Sequence, residues 1–314
     1  MSETGQVRCG PAGWSYPHWD ATVYPRPKPR RFHPLEYLSG YFDMIEINTS
    51  FYQPLRPEVA RLWAAKVAGN PRFRFTAKLH RRFTHDRRLD EAEVAAFCRG
   101  LRQLSEAGRL GCVLMQFPWS FRFTEENRDF FIRLRRAFGE FPLVAEMRHS
   151  SWMREEALGL FMDYHVGFCN IDQPEWVQAM PPTAVLTSSI GYVRLHGRGY
   201  GRWFQEFSDP PPAAARRDYL YPPEELAEWK KRIDHLRRFA EAAYVVTTND
   251  AAGRSVVNAL QLQAMLGAGG RQAPRALAAL YRRELEGFQP DGPVQAALFP
   301  VSRPRRPRRT RAVA

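Results

Sequence analysis

The chain has 314 residues, 44% of them hydrophobic, and a formal charge of +13. It is long enough for one large core or two small ones, and basic enough to favour anionic partners. Six of those charges are arginines in residues 302–314, a stretch without an acid, which leaves +7 on residues 1–301. Four scattered cysteines (Cys9, Cys98, Cys112, Cys169), with no C-x-x-C pair, argue against a zinc cluster or a disulfide framework. They suit a reducing, cytoplasmic setting. No stretch approaches the ~20 apolar residues of a membrane span. The opening MSETGQVR has no apolar run of the kind a signal peptide needs. No membrane partner is expected.

Taken in order, the first apolar, strand-like run is VRCGPAG (7–13). DMIEIN (43–48) follows, with Ile45 and Ile47 alternating with Glu46 and Asn48. Pro57 suits the first turn of a helix, where its missing N–H is no loss. Val59, Leu62, Trp63 and Val67 mark one face of that helix. RFRFTAK (73–79) is the third strand. Asp90 with Glu93 has the form of a capping box, and Val94, Phe97, Leu101 and Leu104 follow at helical spacing. CVLMQF (112–117) is the fourth strand. Thr124 then caps a helix carrying Phe130, Phe131, Leu134 and Phe138, with Glu125 and Glu126 at its positive end. LVAEMR (143–148) and VGFCNI (166–171) are strands five and six, and the proline-containing stretch 172–190 is weakly helical. GYVRLHG (191–197) is strand seven. Residues 198–223 form a long loop, and Leu226, Trp229, Ile233 and Leu236 give a helical stripe. AYVVTTND (243–250) is strand eight, with Val257, Leu260, Ala264 and Met265 on the last helix.

Strands alternating with helices imply parallel pairing through crossovers. Eight such units in roughly 250 residues have the dimensions of a closed (β/α)8 TIM barrel, here a single domain over residues 7–270. A doubly wound open sheet is second choice, because its first turn usually carries a Gly-rich fingerprint and this one reads GPAGW. Residues 287–314, rich in Pro and Arg, are expected to be a disordered basic tail able to bind nucleic acid.

In such a barrel, reactive groups gather at the carboxyl ends of the strands. Successive side chains face opposite sides of a strand. Ile45 and Ile47 therefore oppose Glu46 and Asn48, Ala145 and Met147 oppose Glu146 and Arg148, and Val193 and Leu195 oppose Arg194 and His196. Lys78, Gln116 and Asn249 sit at the ends of strands three, four and eight, and Asp172 follows strand six. The polar sets should line one interior cup. Glu46, Glu146, His196 and Lys78 are its candidate catalytic residues. Asn48, Gln116, Arg148, Arg194 and Asn249, with the aromatics Trp14, Tyr16 and Tyr52, are candidate substrate contacts. The bland alternative is a buried network in which Glu46, Glu146, Arg148 and Arg194 neutralise one another. Burial costs several kcal/mol per ion, so such a network is an expensive scaffold. Cys112 and Cys169 lie in apolar strands and read as packing.

The blocks GPAGWSYPHW, FDMIEINTSFY, FTAKLHRRFTHDRRL, LMQFPWSF, AEMRHSSW, YVRLHGR, RDYLYPPEEL and TNDAAGRSVVNALQL run in order from about residue 7 to 266. Together they resemble the family catalogued as domain of unknown function 72, the YecE-like barrels. The resemblance implies a TIM-type barrel and a soluble bacterial or archaeal protein; it supplies no reaction. The matching positions include every candidate above together with Trp19, His85, His149, Trp152 and Gly197. The chain departs from the pattern at Thr247 and Thr248, at Asp250, where histidine is common, and in its Arg-rich end.

Three chemistries fit these residues. Lys78, Arg148 and Arg194 could clamp a phosphate or carboxylate while Glu46 or Glu146 moves protons, and His196 and His149 add further proton carriers. This reading, hydrolase-type chemistry on a phosphorylated ligand, is the preferred one. The net charge, RRFTHDRR (81–88), the tail and mouth aromatics such as Trp119, Trp152 and Trp203 suggest a nucleic-acid-binding module instead. The same aromatics with two carboxylates would suit a sugar-handling enzyme. No cofactor is identified. A divalent metal on Glu46, Glu146, Asp172 and His196 is disfavoured, because Arg148 and Arg194 would share its cavity. Gly253 and Ser255 open the last helix and could hold a phosphate or simply start the helix.

Overall fold

Every strand-like run of the sequence becomes a strand. In a computed structural model describing residues 5–199 and 218–291, these are β1 (Gln6–Pro11), β2 (Met44–Ile47), β3 (Arg74–Lys78), β4 (Leu110–Gln116), β5 (Leu143–Glu146), β6 (Gly167–Asp172), β7 (Ile190–Leu195) and β8 (Ala242–Thr247). All pair in parallel, β2 to β8 each with the next in sequence and β8 with β1. A bridge between Ala12 and Glu46 closes the circle, with the Gly13 N–H donating to the Glu46 carbonyl at 2.8 Å. This is the (β/α)8 barrel that the alternation implies. Most of the loop expected over 198–223, with Trp203, and tail residues 292–314 lie outside the described residues.

The helices are α1 (Pro34–Leu38), α2 (Pro57–Lys66), α3 (Arg81–Thr84), α4 (Glu91–Glu106), α5 (Glu125–Ala137), α6 (Glu155–Asp163), α7 (Pro223–Arg237), α8 (Arg254–Met265) and α9 (Arg275–Leu280). Their starts follow the local chemistry. Pro57 is the first residue of α2. Asp90 Oδ1 accepts the Glu93 N–H at 3.0 Å, and Thr124 Oγ1 accepts that of Asn127 at 3.3 Å. Glu93 does not return the bond expected of a capping box; its carboxylate pairs with Arg82 at 2.6 Å. The stripe Leu226, Trp229, Ile233 and Leu236 is fully buried against Val193, Leu195, Ala243 and Val245 of the barrel wall. Past α9, Gln289–Pro290 pairs with Gln272–Ala273, and the Asp291 carboxylate accepts from the Tyr37 hydroxyl at 2.9 Å. Residues 287–291 are thereby tied to the body. Among the described residues no helix is long and apolar enough to cross a membrane.

After β6 the weakly helical stretch is not a helix: residues 173–189 form an extended strap. Pro174, Pro181 and Pro182 oppose helix formation, and Asn170 holds the strap instead. Its Oδ1 accepts the Val185 N–H and the Thr183 hydroxyl, each at 2.7 Å, and its Nδ2 donates to the Val185 carbonyl at 3.0 Å. Asn170→Ala should strand these buried groups and cost about 2 kcal/mol. The checks are a urea melt and faster amide exchange at 183–185.

The barrel is plugged at its amino end and polar at the other. Arg8 donates to the Arg72 carbonyl at 3.0 Å and lies 5.9 Å from the centre of the Tyr244 ring. The Tyr244 hydroxyl sits 2.5 Å from where a Cβ on Gly111 would be, so only glycine fits there. Cys112 and Cys169 are wholly buried within the strands, and burial pushes both thiols far above their ordinary range.

Candidate functional site

Alternation along β2, β5 and β7 delivers Glu46, Glu146 and Arg194 to one point inside the barrel, all essentially without solvent exposure. Arg194 is the hub. Its Nη2 donates to Glu46 Oε1 at 2.8 Å, and its Nη1 donates to Gln116 Oε1 at 3.0 Å and to Glu146 Oε2. The second oxygen of each carboxylate is also used. Glu46 Oε2 accepts from the Tyr192 hydroxyl at 3.0 Å, which lies 2.8 Å from Thr76 Oγ1. Glu146 Oε1 accepts from Arg148 Nε at 3.0 Å and lies 3.2 Å from His196 Nε2.

Above this floor stands a more accessible ring. Lys78, at the end of β3, holds Nζ 4.4 Å from the centre of the Phe51 ring. Its carbonyl accepts from Ser50 Oγ at 2.7 Å, which ties the loop after β2 to the end of β3. His85 packs edge-on against the same Phe51 ring, 5.1 Å away. Asn48 donates to the Tyr16 hydroxyl at 3.3 Å, and Tyr16 donates to the Ala12 carbonyl at 2.7 Å. His196 Nδ1 lies 2.9 Å from Thr248 Oγ1. Lys78, Gln116, Asn48, Tyr16, His85 and Thr248 are all half-buried, whereas Tyr52 is 69% exposed.

Other candidates are placed elsewhere. Trp14 turns into the helix layer, edge-on to Trp63 of α2 at 4.7 Å. Asn249 is wholly buried and donates to the Tyr219 carbonyl at 2.7 Å and to Asn258 Oδ1 at 2.8 Å, bracing the loop before α7. β6 runs in opposite parity. Its Cys169 and Ile171 are in register with Tyr192 and Arg194, so Asp172 points outward and grips Arg198 at 3.0 and 3.1 Å. The metal set Glu46, Glu146, Asp172 and His196 therefore does not assemble. Among the described residues no group of three or more His, Cys, Asp or Glu is placed to hold an ion. His149 caps the turn Ser150–Met153, accepting from the Ser151 N–H at 3.1 Å. Trp152 is stacked on Phe121 in the core. Ser255 is fully buried.

The electrostatics follow from the geometry. Three cations (Arg194, Arg148, Lys78) face two carboxylates, so the cup carries an excess positive charge. Burial opposes ionisation of Glu146, but Arg194, His196 and Arg148 outweigh it and hold its carboxyl well below the usual range. Burial, reinforced by the Arg194 charge, pulls the Lys78 amine down to about 7 against Glu46 and Glu146. It also pulls the His196 imidazole down to about 4 against Glu146, with Arg194 adding to the shift. The neutral ring then carries its proton on Nε2, facing the carboxylate. Burial, with Arg148 and Lys78, brings His85 to about 4.

Four participants carried no strong local signal. Tyr192 and Thr76 sit in apolar strands, and Phe51 follows the strand end. His85 sits in a basic run seven residues past Lys78. Only the period-two step from Arg194 back to Tyr192, and from Lys78 back to Thr76, could have flagged the first two.

Comparison with known proteins agrees with this architecture. A family model described as "Protein of unknown function DUF72" matches residues 8–281. UPF0759 protein YunF of Bacillus subtilis (strain 168) is 26% identical over 260 residues, 78% of this chain and 90% of that protein. The crystal structure of a DUF72 family protein from Thermotoga maritima is 29% identical and superposes with a TM-score of 0.70, covering 83% of this chain and 99% of that one. A DUF72 family protein from Enterococcus faecalis, 23% identical with a TM-score of 0.72 over 83% of this chain and 96% of its own, is alike in fold. With the family model spanning nearly the whole barrel, this chain belongs to the DUF72 family.

Proposed function

We propose that the cup binds a small anionic molecule, phosphorylated or carboxylated, and performs proton-transfer chemistry on it, of the hydrolytic kind where water is the attacking group. The observation that carries this reading is Lys78. It stands at a strand end beside two arginines, and among the described residues no carboxylate lies within ion-pair distance of its Nζ. An anion would supply the missing partner.

The division of labour follows. Glu46 and Glu146 are locked onto Arg194 and orient it; Glu146, held ionised, is an acceptor and not a proton donor. The Lys78 amine is the group able to exchange a proton near neutrality, while the imidazoles of His85 and His196 stay neutral there and serve as hydrogen-bonding groups. A sugar-cleaving pair needs both carboxylates facing the ligand, and here both are fully buried. The basic run 81–88 is largely neutralised in place. Arg81 pairs with Asp86 at 3.6 Å, Arg82 with Glu93 at 2.6 Å and Arg87 with Glu126 at 3.4 Å, which weakens a nucleic-acid reading.

Calorimetry with inorganic phosphate and with phosphorylated and unphosphorylated sugars tests this. Phosphate should bind, with affinity falling as pH rises through about 7, where the Lys78 amine loses its charge. Lys78→Met should weaken binding about 10- to 100-fold, the size of one charge-assisted contact. Absence of phosphate binding, or a Lys78→Met variant that binds as well as the parent, would defeat the proposal. Salt-sensitive binding of single-stranded DNA that survives Lys78→Met would favour the nucleic-acid reading in its place.

A further inference from the structure

Three side-chain amides stand around the cup, and each is held at one end by a neighbour of fixed polarity. Tyr16 gives its single hydroxyl proton to the Ala12 carbonyl at 2.7 Å, so Asn48 must meet the phenol oxygen with Nδ2, at 3.3 Å. A guanidinium only donates, so Gln116 meets Arg194 with Oε1, at 3.0 Å. Gln173 faces two carbonyls, those of Arg148 and Met180, and so turns Nε2 to them, at 3.3 Å each. Flipping any of the three amides would set donor against donor or acceptor against acceptor. Gln173 belongs to the cup by register. Ile171 is level with Arg194 and Asp172 with Leu195, so one residue past β6 the side chain returns to the inward phase, and its amide lies against the backbone of residue 148.

The other end of each amide is uncommitted. Asn48 Oδ1 and Gln116 Nε2 meet no partner among the described residues, and both side chains are half-buried. Gln173 is only 3% exposed, and its Oε1 is enclosed without a donor. A buried acceptor in that state is costly, and it asks for a donor from outside the chain. The cup therefore offers two acceptors and a neutral donor besides the Lys78 ammonium.

We infer that the ligand is a polyhydroxylated anion, a sugar phosphate or a sugar acid, with its charge at Lys78 and its hydroxyls on Asn48, Gln116 and Gln173. The inference rests on the anion-binding reading of the same cup and narrows its ligand class. A bare oxyanion needs only donors, and the two amide oxygens repel it. An apolar tail would leave all three amides unsatisfied. A hydroxyl both donates and accepts, so a row of hydroxyls meets acceptors and donor alike. A ligand ammonium could also donate, but three cations facing two carboxylates already leave the cup positive. The amides stand at or one residue past the ends of β2, β4 and β6, with Lys78 ending β3. In the strand order these positions take in more than half of the mouth, a spread that suits a ring or chain of several carbons.

Calorimetry on the full chain tests this with glucose 6-phosphate, fructose 6-phosphate, ribose 5-phosphate and glucuronate. The control is cyclohexylmethyl phosphate, which keeps an anion and a six-membered ring but has no ring hydroxyl. At least one of the four sugar ligands should bind about tenfold or more tighter than the control, the yield of two or three net hydrogen bonds. Whether the phosphates or glucuronate bind best identifies the anionic group. Asn48→Ala and Gln173→Met should each shrink that preference to about threefold or less, with the affinity for inorganic phosphate held within about twofold. Gln173→Met also removes the bonds to Met180, so the readout is the ratio of two ligands on the same protein, which a loss of folded material leaves unchanged. If the control binds as tightly as every sugar ligand, or both variants keep the full preference, the inference is overturned and the anion site stands. If free glucose binds as tightly as glucose 6-phosphate, or neither inorganic phosphate nor any sugar ligand binds, both readings fall together.

Discussion

Replacing Arg194 with Met is expected to lower stability by about 3–5 kcal/mol, the usual result of leaving buried charges without their partner. For a barrel of this size that is a fall in melting temperature of about 10 °C. Arg194 bonds to both Glu46 and Glu146, and neither carboxylate has any solvent exposure. Among the described residues, Arg148 and His196 would remain bonded to Glu146, and the Tyr192 hydroxyl to Glu46.

The same variant should change the sign of the pH dependence. In the parent, His85 and His196 have folded values near 4, below the ordinary 6.5. The unfolded chain therefore binds more protons as pH falls below 6.5, and stability declines over that interval. Glu146, held far below its ordinary 4.5, adds a further loss as pH falls under that value. In Arg194→Met the buried Glu146 carboxyl loses its largest opposing charge and gains a proton more readily when folded, so lowering the pH from 8 to 5 should stabilise the protein. Thermal melts across pH 4–8 read both effects. A variant melting within about 2 °C of the parent, with the parent's pH profile, would mean that the ion network does not hold the cup together.

Lys78→Met should act in the opposite direction on stability. The folded amine titrates near 7 against an ordinary 10.5, so between those values the unfolded chain holds the extra proton and folding at pH 7 works against burial of the charge. Met keeps a contact with Phe51 without a charge. A gain of about 1 kcal/mol, or about 2–4 °C, is expected at pH 7, shrinking at higher pH. Coupled with weaker phosphate binding, that gain is the mark of a residue kept for function at the expense of stability. If Lys78→Met lowers the melting temperature instead, Lys78 is part of the scaffold.

How much of this was legible beforehand can be judged residue by residue. Glu46, Glu146 and Arg194 were found by alternation alone, because side-chain direction along a strand has a fixed period. Trp14 shows the limit of that rule: three residues past the end of β1 the period has lapsed, and the indole lies against Trp63 instead of in the cup. Asn249 was drawn away by Asn258, nine residues on, a partner no strand pattern points to. His149 closes a turn on its own Ser151. His85 reached Phe51 only because the loops after β2 and β3 are pinned together by Ser50.

From residue order alone came the barrel, the eight strands, the helix starts and three inward-facing polar pairs, all of which depend on contacts within a few residues. Folding in three dimensions settled the phase of β6, which put Asp172 outside, and the meeting of Glu46 and Glu146 on a single guanidinium. It also left Lys78 beside cations and an aromatic face. Those outcomes turn on register between strands and on charges brought together from 48 to 148 residues apart, and no local pattern encodes which groups will share a desolvated space.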